Sequence, residues 1–166
     1  LLGSLEGGGK IILPEPQPLL TPASKMPGLD GQKMSKSYGN TISLREAADS
    51  VDQKIRRMPT DPARIRRTDA GNPDVCPVWQ LHEIYSDDST QQWVQQGCRS
   101  AGIGCLECKK PIIDAVNVEL EPMRIRAREY EEQPELIYSI LAEGAEKAAD
   151  IANDTLKDVR TAMGLN

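Results

Sequence analysis

The sequence predicts a mostly helical fold: a helical bundle preceded by an extended arm, which carries a short strand and a lysine-rich loop. Three observations lead there. Apolar residues recur at helical spacing from Ser43 to the C-terminus. The first 27 residues are instead broken by Gly7, Gly8 and Gly9 and by Pro14, Pro16, Pro18, Pro22 and Pro27, which leaves room for one strand at most. Between the two, Gly28 to Asn40 has no apolar period and holds Lys33, Lys36, Ser35, Ser37 and three glycines. A chain of 166 residues has room for one ordinary domain, or a small domain plus an arm. Its 39% hydrophobic and 27% charged content are those of a soluble globular protein. No apolar run approaches the roughly 20 residues that span a bilayer, and no basic-then-apolar leader precedes the arm, so a cytoplasmic protein with no membrane partner is expected. The chain starts at Leu1 and reaches its first strong motif within 40 residues, so a portion of a longer protein is expected.

Taken in order, Ile11-Ile12-Leu13 is the candidate strand, ended by the prolines. Since an isolated strand is not a stable unit, its partners belong to a sheet outside this sequence. Ser43 and Glu46 form a capping box for a helix carried by Leu44, Ala47, Ala48, Val51, Ile55 and Met58 and closed by Pro59. The lysine-rich loop is thereby expected just before a helix N-terminus, where free N–H groups favour anions. Further helices are expected from residue 73 or 74 to 85, from a Ser89 cap to about 96, from about 106 to 132, and from 133–134 to 141. Gly97 to Gly104 reads as a loop. A last helix follows Gly144, with an apolar stripe from Ala148 through Ile151, Leu156 and Val159 to Met163 expected in the core, and Gly164 as C-terminal cap.

The loop Gly28-Leu29-Asp30-Gly31-Gln32-Lys33-Met34-Ser35-Lys36-Ser37-Tyr38-Gly39-Asn40 is equipped for a polyphosphate. Two ammonium groups, two hydroxyls and turn-forming glycines suit the charge that grows on the leaving oxygens as a phosphoanhydride breaks. Residues 54–67 hold Lys54, Arg56, Arg57, Arg64, Arg66 and Arg67 against Asp61 alone, within a chain of net charge −5. A focused basic patch on an acidic body suits nucleic acid at one place, or simply a solvated helix end. Cys76, Cys98, Cys105 and Cys108 are spaced C-x21-C-x6-C-x2-C. In a reducing compartment that pattern favours metal over disulfides, with Zn2+ or a [4Fe–4S] cluster as candidates. His82, the only histidine, lies among apolar neighbours and reads as a packed structural residue.

Pro18-Leu19-Leu20-Thr21, Pro27-Gly28-Leu29-Asp30-Gly31 and Lys33-Met34-Ser35-Lys36-Ser37 resemble the bacterial tryptophanyl-tRNA synthetases of class I. So do Gly71-Asn72-Pro73-Asp74-Val75-Cys76, Glu143-Gly144-Ala145-Glu146-Lys147-Ala148 and Ala162-Met163-Gly164-Leu165. The resemblance implies the C-terminal part of a tryptophan–tRNA ligase. Residues 1–42 would end a nucleotide-binding domain with the KMSKS loop, and 43–166 would form a helical anticodon-recognition domain. It implies ATP with Mg2+ as the substrate complex, with Lys33, Met34, Ser35, Lys36 and Ser37 at the triphosphate. Lys33 and Lys36 would be catalytic, Lys36 with the larger share. It implies tRNA(Trp) as partner, with Lys54, Arg56, Arg57, Arg64, Arg66 and Arg67 as phosphate contacts, and a homodimer for the whole enzyme. A subset of the family carries a [4Fe–4S] site on a four-cysteine pattern close to this one, its first gap about one residue longer. The His-x-Gly-His motif and tryptophan pocket of the family lie in an N-terminal domain missing here, so the chain alone is expected to be inactive. The rival expectation is a non-catalytic RNA-binding helical module with a four-cysteine metal site.

Overall fold

The computed structural model describes residues 11–20 and 25–165. Among the described residues five α-helices follow one another: α1 (Ala48–Arg57), α2 (Pro77–Tyr85), α3 (Asp88–Arg99), α4 (Cys105–Glu131) and α5 (Pro134–Ala162). The mostly helical expectation holds. The chain divides into two compact units, Leu20–Arg128 and a second made of Leu1–Leu19 with Glu129–Asn166.

The first unit has a core of Val51, Ile55 and Met58 from α1 and its end, Val78 and Leu81 from α2, and Ile112, Ile113, Val116 and Leu120 from α4. Met26, Leu29 and Ile42 pack against it. Both ends of the lysine-rich loop are therefore fastened to the helical core by apolar burial. Lys109, only 3% exposed, donates to the carbonyls of Arg56 and Met58, each at 2.7 Å. It closes the C-terminus of α1, where orphan carbonyls face the negative end of the helix dipole.

Several element boundaries differ from expectation for identifiable reasons. The amide of Ser43 donates to the Glu46 carboxylate at 3.0 Å as a capping box requires. The same carboxylate also serves Ser50 and Lys54, and Ala47 is extended (ψ 145°), so Ser43–Glu46 is a separate turn and α1 begins at Ala48. That turn stands between the loop and α1 in the chain, and α1 carries Asp49 in its first turn, so the expected anion-binding N-terminus does not directly follow the loop. Pro77 pushes Cys76 out of the helical region. The stretch expected to be one helix is thus a 3-10 turn at Pro73–Val75, an extended Cys76, and then α2. Asp87, not Ser89, caps α3, accepting from the Thr90 amide at 2.8 Å, and α3 runs on through Gly97 and Cys98.

In the second unit, the two helices expected on either side of Gly144 are one 29-residue helix with no buried residue. Its apolar stripe is not core within the described residues; Ile151 is 71% exposed. Gly164 takes φ 69°, and the Leu165 amide reaches the Arg160 carbonyl while the Gly164 amide reaches that of Thr161. This is the Schellman closure expected there. Ile11–Leu13 is not a strand: Ile12 and Leu13 sit in a bend. Nothing among the described residues pairs with the segment, and an unpaired strand lacks the ladder that would hold it extended. No described helix is long and apolar enough to cross a membrane.

Candidate phosphate loop and cysteine cluster

The loop is built as a short hairpin. Pro27 and Lys33 form an isolated antiparallel bridge, and the Gly28 amide donates to Gln32 at 2.6 Å and that of Met34 to Met26 at 2.8 Å. Gly31 turns the chain at φ 82°, a conformation that L side chains rarely adopt. Beyond it Ser35 is extended and Lys36–Tyr38 form a 3-10 turn.

Asn40 holds this hairpin from within and is only 4% exposed. Its Oδ1 accepts the Ser35 amide at 2.8 Å; its Nδ2 donates to Asp30 Oδ1 at 2.7 Å and to the Lys33 carbonyl at 3.2 Å. Its own carbonyl accepts the Leu29 amide at 2.9 Å. A Cβ at Gly28 would lie 2.2 Å from Asn40 Nδ2, so glycine there is a packing requirement. Hydrogen bonds from Asn40 and then from the Gln32 amide hold the Asp30 carboxyl below its usual range. Lys33, Lys36 and Ser37 are exposed and Met34 and Ser35 half-buried, with Ser35 Oγ and Ser37 Oγ 2.8 Å apart. Neither ammonium has an ion-pair partner among the described residues. The loop presents two cations with no ion-pair partner among the described residues, and two hydroxyls, on an anchored backbone, equipment that suits a triphosphate.

The residues expected to contact nucleic acid are not equivalent. Arg57 and Arg66 are exposed. Arg56 pairs with Asp52 at 2.6 Å and Arg67 with Glu107 at 3.1 Å, both on the surface. Lys54 is spent on the Glu46 carboxylate at 2.8 Å and the Thr41 carbonyl at 3.1 Å. Burial alone would raise the Glu46 carboxyl, but hydrogen bonds from Lys54, Ser50 and Ser43 and the Lys54 charge outweigh it and hold it at about 2. Arg64 is 9% exposed and donates inward, to the carbonyls of Arg67 and Ile103 at 3.0 and 2.6 Å.

All four cysteines are half-buried and unbridged. Burial, then the charges of Cys76, Cys98 and Cys105, push the Cys108 thiol up to about 12. The four sulfurs thus share one electrostatic neighbourhood, with Lys109 beside them. Arg64 Nη1 lies 3.9 Å from Cys98 Sγ, and a Cβ on Gly71 would lie 2.6 Å from the same sulfur. Among the described residues, no three metal-binding side chains are arranged to hold an ion. His82 is the fully buried residue expected. Its Nδ1 lies 2.7 Å from Ser86 Oγ and its Nε2 3.3 Å from Cys108 Sγ, and burial lowers its pKa to about 4. The place of Asn40 in the hairpin and the His82–Cys108 contact were not legible in sequence. The only signal for the first was the Gly39-Asn40 pair that closes the motif.

Residues 4–121 match the family model described as tRNA synthetases class I (W and Y). The tryptophan–tRNA ligase of Ralstonia nicotianae is 62% identical over 165 residues, covering 99% of this chain and 41% of that protein. That of Thermotoga maritima is 43% identical over 155 residues, covering 93% and 47%. The crystal structure of Campylobacter jejuni tryptophanyl-tRNA synthetase complexed with ADP and tryptophan superposes with a TM-score of 0.70 at 28% identity, covering 85% of this chain and 44% of that one. The chain thus spans less than half the length of these relatives. With the model matched over most of its length, the chain belongs to the class I tRNA synthetases of the tryptophan and tyrosine group.

Proposed function

We propose that this chain is the phosphate-loop and helical portion of a tryptophan–tRNA ligase. The carrying observation is 62% identity to such a ligase across 99% of the chain, and the two exposed ammoniums on the Asn40-held hairpin agree with it. In the reaction so proposed, the tryptophan carboxylate attacks the α-phosphorus of ATP and pyrophosphate leaves. A ribose hydroxyl of tRNA(Trp) then takes the aminoacyl group and AMP leaves. Lys33 and Lys36, with Ser35, Ser37 and the Met34 backbone, bind the β- and γ-phosphates of the ATP–Mg2+ complex. Lys36 carries the larger share of the charge that appears as pyrophosphate departs. Residues 1–42 complete the nucleotide-binding domain and 43–166 approach the tRNA. The exposed Arg57 and Arg66, then Arg56 and Arg67, contact its phosphates. Arg64 and Lys54 serve the fold. The whole enzyme is a cytoplasmic homodimer.

The cysteines fit a [4Fe–4S] cluster better than a single zinc ion. Zinc needs four sulfurs at about 2.3 Å from one point, hence about 3.8 Å from each other, and the four thiols are not so gathered. Arg64, whose Nη1 lies 3.9 Å from Cys98 Sγ, also keeps a buried Nε with no hydrogen-bond partner among the described residues, which suits a dianionic group beside Cys98. Cys76, Cys98, Cys105 and Cys108 would hold it. Bound there, the cluster would crosslink the start of α2, the end of α3 and the start of α4.

Titration of the chain with tripolyphosphate and Mg2+ tests the loop: Lys36→Ala weakens binding about tenfold or more and Lys33→Ala less. Equal binding by both variants and the parent would overturn the assignment. The chain alone gives no tryptophan-dependent pyrophosphate exchange. Anaerobic purification with iron and sulfide analysis distinguishes about four irons from one zinc. A free-standing RNA-binding module leaves the lysine hairpin unexplained.

A further inference from the structure

Ser86, His82 and the Cys108 sulfur form a short polar chain that runs into the interior of the first unit. His82 lies in the last turn of α2 and is fully buried. Its Nε2 faces Cys108 Sγ, in the first turn of α4, at 3.3 Å, and its Nδ1 faces Ser86 Oγ at 2.7 Å. Ser86 is the C-cap of α2, its amide donating to the His82 carbonyl at 3.0 Å. The Gln91 side-chain amide donates to the carbonyls of both His82 and Ser86, at 3.2 and 2.9 Å, which ties this turn to α3. One turn back, the Trp79 ring stands 6.1 Å from the imidazole, its own N–H donating to Glu83 at 3.1 Å. The imidazole is thus set in place by the protein alone.

A ring so placed can serve packing alone, but the nature of its second partner argues for more. A buried polar group is costly unless it is well hydrogen-bonded, and a thiol is only a weak donor and a weak acceptor. A metal-bound cysteine is a thiolate, and a hydrogen bond to an ionised acceptor is roughly twice as strong as a neutral one. The burial of Nε2 is therefore best offset when Cys108 is a ligand. A thiolate has no proton to give, so the ring must donate. In a neutral imidazole Nδ1 is then the acceptor, and the Ser86 hydroxyl donates to it. Cys76 stands directly before α2, so one short helix follows one candidate ligand and carries the donor to another. Arg64 addresses a different sulfur, that of Cys98.

We propose that His82 is a positioning residue of the four-cysteine site: its Nε2–H donates to the Cys108 thiolate of the metal-bound chain, and Ser86 fixes the ring in that tautomer. Outer partners of this kind orient a ligand and tune its charge, and hydrogen bonds to the sulfurs help to set the potential of an iron–sulfur group. By placing a proton against a ligand sulfur, His82 favours the state that holds one more electron. The proposal rests on the [4Fe–4S] reading above and adds to the four ligands a residue that acts through one of them.

The test compares the chain, reconstituted anaerobically with iron and sulfide, with two variants. His82→Leu keeps most of the ring's bulk and removes the donor; Ser86→Ala keeps the ring and removes the group that orients it. Redox titration with dithionite and mediator dyes, followed by visible absorption, reads the potential. At the potential where the parent is half reduced, the reduced-to-oxidised ratio should fall about tenfold in His82→Leu, about 59 mV for a one-electron couple, and about threefold in Ser86→Ala. Iron should also pass to a chelator about tenfold faster from His82→Leu. A merely packed imidazole would alter iron content or Tm and leave the potential of the retained iron where it was; that result overturns the proposal. If His82→Leu fails to fold or to hold iron, Ser86→Ala decides, and an unmoved potential there overturns it. Zinc in the parent in place of iron overturns the cluster reading alone. His82 is the only histidine, so nitrogen-15 NMR of the zinc-bound chain then reads its ring: a protonated Nε2 supports the proposal and an unprotonated one overturns it. A parent that retains neither metal overturns both.

Discussion

Replacing Asn40 by alanine separates the anchoring of the lysine hairpin from the stability of the helical core. The change deletes three side-chain hydrogen bonds, of 2.8, 2.7 and 3.2 Å, from a residue only 4% exposed. Neutral bonds contribute about 1 kcal/mol each and one to a carboxylate about 1.5–3 kcal/mol, giving about 5 kcal/mol at most. Asp30 and Ser35 are near enough to the surface for water to recover part of this, so the local loss is about 2 kcal/mol. The hairpin should open about 30-fold more often, and amide hydrogen exchange at Ser35 should accelerate by that factor. The carboxyl of Asp30 should return toward its ordinary pKa when titrated by NMR, since Asn40 is the main cause of its depression. Amides in α1 and α4 should exchange as before. If exchange at Ser35 is unchanged, or if it rises together with that of the core helices, then Asn40 is not a local latch and the reasoning fails.

Three other changes test the surrounding framework. Lys109→Met leaves the carbonyls of Arg56 and Met58 unpaired and should cost about 2 kcal/mol in denaturant unfolding. Gly71→Ala forces a Cβ to within 2.6 Å of Cys98 Sγ. It should destabilise the first unit by about 1–3 kcal/mol and lower the iron retained on anaerobic purification. The Glu46 carboxyl is held at about 2 against an ordinary 4.5, so its contribution is fully present above pH 4.5 and is lost as pH falls from there toward 2. The shift sets a ceiling of about 3 kcal/mol, and the 36% exposure of Lys54 reduces it to about 1–2 kcal/mol by solvent screening. Glu46→Gln should remove that part of the acid dependence of urea midpoints; an unaltered acid limb would contradict the assignment.

Features that depend on near neighbours in sequence were legible. Helical period located all five helices, and Gly164 announced its own left-handed closure. The lysine-rich stretch was read as a loop from residue type alone, and it is one, turned at Gly31. Errors arose where one group answers to several partners or to a distant one. Glu46 reads as a capping-box residue until Lys54 and Ser50 compete for it, and α1 then starts later. Pro77 was weighed less than the apolar period that it interrupts. Arg64 looks like its neighbours in a basic run, but the fold turns its guanidinium toward Ile103 and Cys98. A helix break was read at Gly144, yet glycine costs only about 1 kcal/mol in a helix interior, which a 29-residue helix absorbs.

Helix α1 has a consequence beyond core packing. At 10 residues it is a rigid rod about 15 Å long, gripped near both ends by polar contacts with other segments. At its C-terminus Lys109 holds the carbonyls of Arg56 and Met58 from a position one residue past Cys108. Lys54, from the last turn of the helix, reaches back to the Thr41 carbonyl, one residue past Asn40, and just ahead of the N-terminus Arg124 holds the Glu46 carbonyl at 2.7 Å. The cysteine-bearing start of α4 and the base of the lysine hairpin are thus attached to one stiff element. The thiols and the hairpin therefore share one stiff attachment, although no side chain belongs to both.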